Sequence, residues 1–211
     1  MAIKVIIFDF DGTIADTYQA VVDITNGLSS EFGYKPLDEE TLQLLKDLSS
    51  KDIVRKSEIS LFKLSFLLRR VRKELGKQIQ DLEPISGMPE LLEKLKQHNY
   101  TLGIITSNAK ENVMAFLQKR ELEHLFDFVY SGATIFGKHR IINHVSKKYQ
   151  FSKQEVMYVG DETRDIRSAQ KSNVAVIAVT WGFNSNKILN QYQPDFLAEH
   201  PSDISHAVLK F

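Results

Sequence analysis

The chain has 211 residues, 43% hydrophobic and 26% charged, with 27 Lys and Arg against 27 Asp and Glu and no cysteine. That size and mix fit one large domain, or a core domain with a smaller insert, able to bury a substantial core. The balanced charge gives no footprint for nucleic acid or for a membrane surface, and the lack of cysteine excludes disulfides, thiolate zinc sites and cysteine nucleophiles.

The opening MAIKVIIFDFDG does not read as a signal peptide, because its apolar run from Val5 to Phe8 is short and Asp9 ends it. Lys4–Phe8 is instead the first predicted strand, apolar and β-branched as in strands buried on both faces. From about Thr17 to Glu83 the pattern is helical: Tyr18–Phe32, then Asp38–Leu48, then about Leu61–Leu75. Gly33 to Pro36 break the first from the second, and Asp38 with Glu39 and Glu40 makes a good helix start. Pro84-Ile85-Ser86-Gly87 reads as the return linker. Strand and helix then alternate: helix Met88–Gln97, strand Thr101–Thr106, helix Lys110–Arg120, a weaker strand Phe128–Ser131, helix Arg140–Tyr149, strand Val156–Gly160, helix Arg164–Ser172 and strand Ala175–Val179. Such alternation predicts an α/β fold with a Rossmann-like open parallel sheet. The expected core is residues 1–15 and 85–211, with a small all-helical cap, 16–84, inserted after the first strand. No stretch approaches the ~20 apolar residues of a membrane helix. A cytoplasmic monomer or homodimer is expected.

In open α/β sheets, ligands bind beyond the carboxyl ends of the strands. There the sequence places Asp9-Phe10-Asp11-Gly12-Thr13, then Thr106-Ser107-Asn108, then Lys138, then Asp161 and Asp165. Each group alone has a bland reading: an acidic turn, a helix cap, a solvated lysine. Their convergence on one sheet edge is the signal.

This set resembles the haloacid dehalogenase superfamily, in its phosphoglycolate phosphatase-like branch with a helical cap. Asp9 to Thr13 match its Asp-x-Asp-Gly-Thr motif, Thr106 its strand-ending hydroxyl, Lys138 its lysine, and Gly160-Asp161 to Asp165 its Gly-Asp-x-x-x-Asp motif. At the lysine, His139 follows where the family often has proline. The resemblance implies a Mg2+-dependent phosphatase acting on a small phosphorylated metabolite. Asp9 would be the nucleophile that becomes phosphorylated and Asp11 the general acid and base. Lys138 would offset and orient Asp9. Thr106 or Ser107 would supply the key hydroxyl, with Gly12, Thr13, Ser107 and Asn108 around the phosphoryl group. Mg2+ would be held by Asp9, Asp11 through its main-chain carbonyl, Asp161 and Asp165. The dehalogenase and phosphonatase branches lack an acid two residues after the nucleophile, so Asp11 favours phosphoryl transfer. A phosphomutase using the same Asp9, or a binding protein of this fold without turnover, remains an alternative at this point.

The cap cations Lys63, Arg69, Arg70, Arg72 and Lys73 read better as a solvated helix face than as a grip for a second anion. Trp181-Gly182-Phe183 is either a rim of the site or a loop anchor.

Overall fold

The apolar runs are strands, and the central ones are buried on both faces: every residue of β1 (Val5–Phe8) and of β4 (Val156–Gly160) is buried. These belong to a computed structural model that describes residues 2–56, 60–131 and 137–209. The other strands are β2 (Thr101–Ile105), β3 (Phe128–Tyr130), β5 (Ala175–Val179) and β6 (Phe196–Ala198). They form one six-stranded sheet in the order β3-β2-β1-β4-β5-β6, parallel throughout. The order reverses at β1, so the crevice between the ends of β1 and β4 is the switch point where α/β sheets bind ligands. Val5 pairs with both Thr101 and Val156, which brings the ends of β1, β2 and β4 level.

The segment between β1 and β2 is helical: α1 (Tyr18–Gly27), α2 (Ser29–Phe32), α3 (Glu39–Lys46), α4 (Ser50–Lys56) and α5 (Leu61–Gln78) precede α6 (Met88–Gln97). The remaining helices are α7 (Lys110–Lys119), α8 (Lys138–Lys148), α9 (Thr163–Ser172), α10 (Asn186–Gln191) and α11 (Pro201–Val208). Period-two alternation splits the strand side chains between two cores. Ile6, Phe8, Leu102, Ile104, Met157 and Val159 face Leu92, Phe116 and Ile204 of α6, α7 and α11. Val5, Ile7, Val156 and Tyr158 face Ile142, Val145, Ile166 and Leu189 of α8, α9 and α10. A smaller cap core joins Leu28 to Leu67 and Val71 of α5.

Differences from the sequence expectation are local. The helix expected over Tyr18–Phe32 breaks at Leu28, whose N–H donates to both Ile24 and Thr25 at 3.0 and 3.1 Å and so ends α1. Helix α4 was not expected. Ser49 starts it by accepting from the Asp52 N–H at 3.1 Å while donating to the Asp52 carboxylate at 2.5 Å, a reciprocal cap. The cap leaves and rejoins the core at one place: Ala15 bridges to Asp11 and to Pro84, and the Ile85 N–H donates to Ile14 at 2.8 Å.

Gly103 sits in β2 opposite Phe128, and a methyl group there would collide with the Phe128 ring. Gly103→Ala is therefore expected to destabilise the protein by about 1–3 kcal/mol through overpacking. A urea melt checks this; an unchanged midpoint would mean that β3 yields freely.

Candidate active site

β1 delivers Asp9 into the switch-point crevice, where it is only 2% exposed. One carboxylate oxygen accepts from the Phe10 N–H at 2.7 Å. The other accepts from Nζ of Lys138, which also donates to Asp165 at 2.6 Å. Lys138, at the start of α8, is 1% exposed, so this ion pair is dry on all sides. Burial alone would lower the lysine pKa; Asp165 and then Asp9 outweigh it and hold the ammonium charged. Sequence matching to Lys138 thus finds the cation that touches the first-motif aspartate.

Past Asp9 the chain turns tightly. Ile14 and Ala15 N–H groups donate to the Phe10 carbonyl at 2.9 and 3.0 Å. Gly12 adopts φ 70°, and a Cβ there would stand 2.6 Å from the Asp161 carboxylate. Glycine is required both for the left-handed backbone and for that close approach. The turn points Asp11 toward the cap. The Asn108 amide donates to both Asp11 oxygens, at 3.0 and 3.1 Å. Asn108 is itself fixed by accepting from Ala109 N–H at 2.7 Å and from the Asn112 side-chain amide at 2.9 Å, so the residue that orients Asp11 is held by the start of α7. Burial, then the Asp9 charge, raise the Asp11 pKa to about 7, against the opposing Asn108 bond. Thr106 is fully buried, and its Oγ1 accepts from the Asn108 N–H at 3.0 Å. Ser107 instead lines the cavity above.

At the end of β4, Asp161 takes a different place from Asp9 and Asp165. Its carboxylate accepts from the Thr13 hydroxyl at 2.9 Å and from the Phe183 N–H at 2.8 Å. Burial, then Glu162 and Asp9, push its pKa well up. The acids that meet are Asp9, Asp165 and Glu162, with carboxylate oxygens all within 4.8 Å of one another. Glu162 was not singled out from the sequence, because an acid next to Asp161 reads as an ordinary helix N-cap. It is that too: its N–H donates to Asp165 at 3.1 Å in a capping box that starts α9. The excess of buried carboxylate over Lys138 and the Glu162-paired Arg164 suits a divalent cation with hard oxygen ligands.

The loop after β5 closes the site. Trp181 Nε1 donates to the Thr13 carbonyl at 3.2 Å, and Gly182 packs directly on Asp161. The Asn184 amide donates to the cap carbonyls of Lys46 and Leu48 at 3.3 and 3.0 Å. Trp181-Gly182-Phe183 is therefore rim and anchor at once. Between cap and core lies a cavity of about 240 Å3, walled by Asp11, Ser107, Asn108, Glu162 and Arg164 below and by Leu64, Leu68, Arg72 and Leu75 of α5 above.

Comparison with known proteins agrees with this geometry. The chain is 40% identical over 205 residues to a phosphoglycolate phosphatase of Synechococcus elongatus, covering 97% of each. It is 26% identical over 211 residues to pyrophosphatase PpaX of Bacillus thuringiensis, covering 97% of this chain and 95% of the relative. The structure of a predicted phosphatase from Clostridium acetobutylicum superposes with a TM-score of 0.84 over 100% of both chains at 19% identity, a likeness of fold. Residues 6–179 match the haloacid dehalogenase-like hydrolase family, and the chain belongs to it.

Proposed function

We propose that the substrate is a small phosphate monoester of the phosphoglycolate kind and that the resident cation is Mg2+. The chain is a phosphatase working through an aspartyl phosphate on Asp9. The observation that carries this is the dry contact of Lys138 with Asp9, at the one point of the sheet where a second acid, Asp11, stands two residues on.

In the proposed reaction the Asp9 carboxylate attacks phosphorus. The ester oxygen leaves and takes a proton from Asp11, whose pKa of about 7 lets it carry one near neutrality. Water then attacks the phosphoaspartate and gives its proton to Asp11. The phosphorus–Asp9 bond breaks, and inorganic phosphate departs. Asn108 holds Asp11 in position, while Lys138 keeps Asp9 aimed. Ser107 and the buried Thr106 stand near the phosphoryl group, and Gly12 and Thr13 shape the turn around it. The proposed cation ligands are Asp9, Asp165 and Glu162, with Asp161 and the Asp11 carbonyl beside them. The cation, when bound, supplies positive charge for the transferring phosphoryl oxygens.

We assign residues 1–15 and 85–211 to the core and 16–84 to the cap, a division supported by the bridge of Ala15 to Pro84. With Asp9 2% exposed, substrate entry requires the cap to open. Hydrogen exchange at α4 and α5 is expected to slow when a phosphate mimic binds; equal exchange with and without the mimic argues against a moving cap. Among the described residues no helix is long and apolar enough to cross a membrane, and we place the protein in the cytoplasm on its cysteine-free composition.

The test is phosphate release across a panel of phosphate esters. Chelation with EDTA is expected to stop release, and Mg2+ to restore it. Turnover that survives complete chelation would remove the cation from the account.

A further inference from the structure

Among the cap cations Lys63, Arg69, Arg70, Arg72 and Lys73, Arg72 stands apart. Arg70 turns outward to Glu31 and Glu74, and Arg69 lies over the exposed Phe66 ring. Arg72 instead lines the cavity beside Asp11. Among the described residues its guanidinium has no hydrogen bond or ion pair to a protein group. The charges that act on it are Arg164 and Arg69, which repel it, and Asp11, which attracts it. The second cation, Arg164, pairs with Glu162 through one terminal nitrogen, but its buried Nε has no hydrogen-bond partner among the described residues.

A half-buried guanidinium beside leucines, repelled by two other guanidinium groups and without a hydrogen-bonded partner, has unmet donors that an arriving anion would satisfy. The anion's place is set by Asp11. The acid that protonates the leaving oxygen must sit at the leaving-group side of phosphorus, so cations beside Asp11 lie beside the leaving group. Of the cap side chains on that wall, Leu64, Leu68 and Leu75 are apolar, Ser50 offers a hydroxyl, and Arg72 alone carries a charge.

We infer that Arg72, together with Arg164, binds a carboxylate carried by the leaving group, and so selects small phosphorylated 2-hydroxy acids over neutral esters and sugar phosphates. This rests on the phosphatase reading and names the residue that sets its substrate preference. Arg72 is the specificity residue supplied by the cap, which links cap closure to recognition of the second anion.

The experiment compares kcat/KM for phosphoglycolate, for 2-hydroxyethyl phosphate (the same skeleton without the carboxylate) and for pyrophosphate, in wild type, Arg72→Met, Arg72→Lys and Arg69→Met. Wild type should prefer phosphoglycolate to 2-hydroxyethyl phosphate. Arg72→Met should shrink that ratio about tenfold to a hundredfold, as expected for a charged hydrogen bond, chiefly through KM. Arg72→Lys should keep part of it, and Arg69→Met all of it. An equal loss on both esters would make Arg72 structural and overturn the inference. So would a wild type that prefers neither ester. A preference for pyrophosphate that depends on Arg72 would show a phosphoryl group, not a carboxylate, as the second anion. If wild type releases phosphate from none of the three, the phosphatase reading itself fails.

Discussion

Asp9→Asn is expected to lower phosphate release by on the order of 10⁴-fold or more, because it removes the attacking oxygen charge and not a supporting contact. Asparagine has the same shape and can still accept from the Phe10 N–H that Asp9 uses at 2.7 Å. Lys138 keeps Asp165 as its partner at 2.6 Å. The substitution also removes one negative charge from the group formed with Glu162 and Asp165. The amide NH2 then faces Lys138 in place of the second carboxylate oxygen, a loss that the removed negative charge offsets, so the folded state should persist with a thermal midpoint near that of wild type. Steady-state phosphate release and calorimetry on the same preparation check both halves. A variant that retains most of the activity would move the nucleophile elsewhere; an inactive variant that is also unfolded would say nothing about chemistry.

Lys138→Met carries the second large effect, and it falls on stability as well as rate. The lysine is 1% exposed and the two carboxylates it joins are 3% and 0% exposed. Removing one partner of a buried ionic group commonly costs about 3–5 kcal/mol, since the remaining charges are left uncompensated. For a chain of this size that corresponds to a fall in thermal midpoint of roughly 10 °C. Loss of Nζ also removes the group that bridges Asp9 to Asp165 and aims the nucleophile. Activity should drop by about 10²-fold or more. Calorimetry of Lys138→Met beside wild type is the check. A midpoint within a degree of wild type would show that the acids are neutral in the folded protein and that the triad is not ionic.

Much of this was legible in the sequence because the signals are local. A β-branched run such as Val5–Phe8 is typical of a strand sheltered on both faces, and an acid that ends such a strand lies at the sheet edge. Asp9, Asp11, Lys138 and Asp165 follow from that rule plus family likeness. What stayed hidden depends on rotamers and on distant packing. Glu162 looks like a helix cap and is one; only the fold shows a carboxylate oxygen of it near Asp9 and Asp165. Asp161 has the expected position, but its carboxylate is turned to Thr13 and Phe183, a choice set by a loop 22 residues further along the chain. Arg72 is one basic residue in a run of them. It is picked out only because Leu68, Val71 and Leu75 of α5 face inward, which fixes which side of the helix Arg72 shares. Short elements such as β6, with three residues, carry too few side chains for period-two alternation to register.

The most direct test of the phosphoaspartate mechanism is to quench the enzyme in acid during turnover of phosphoglycolate and map the phosphoryl group by peptide mass spectrometry. The account predicts phosphate on Asp9 in wild type and none in Asp9→Asn. Turnover with no phosphorylated peptide at any quench time, or with the phosphoryl group on another residue, would contradict it.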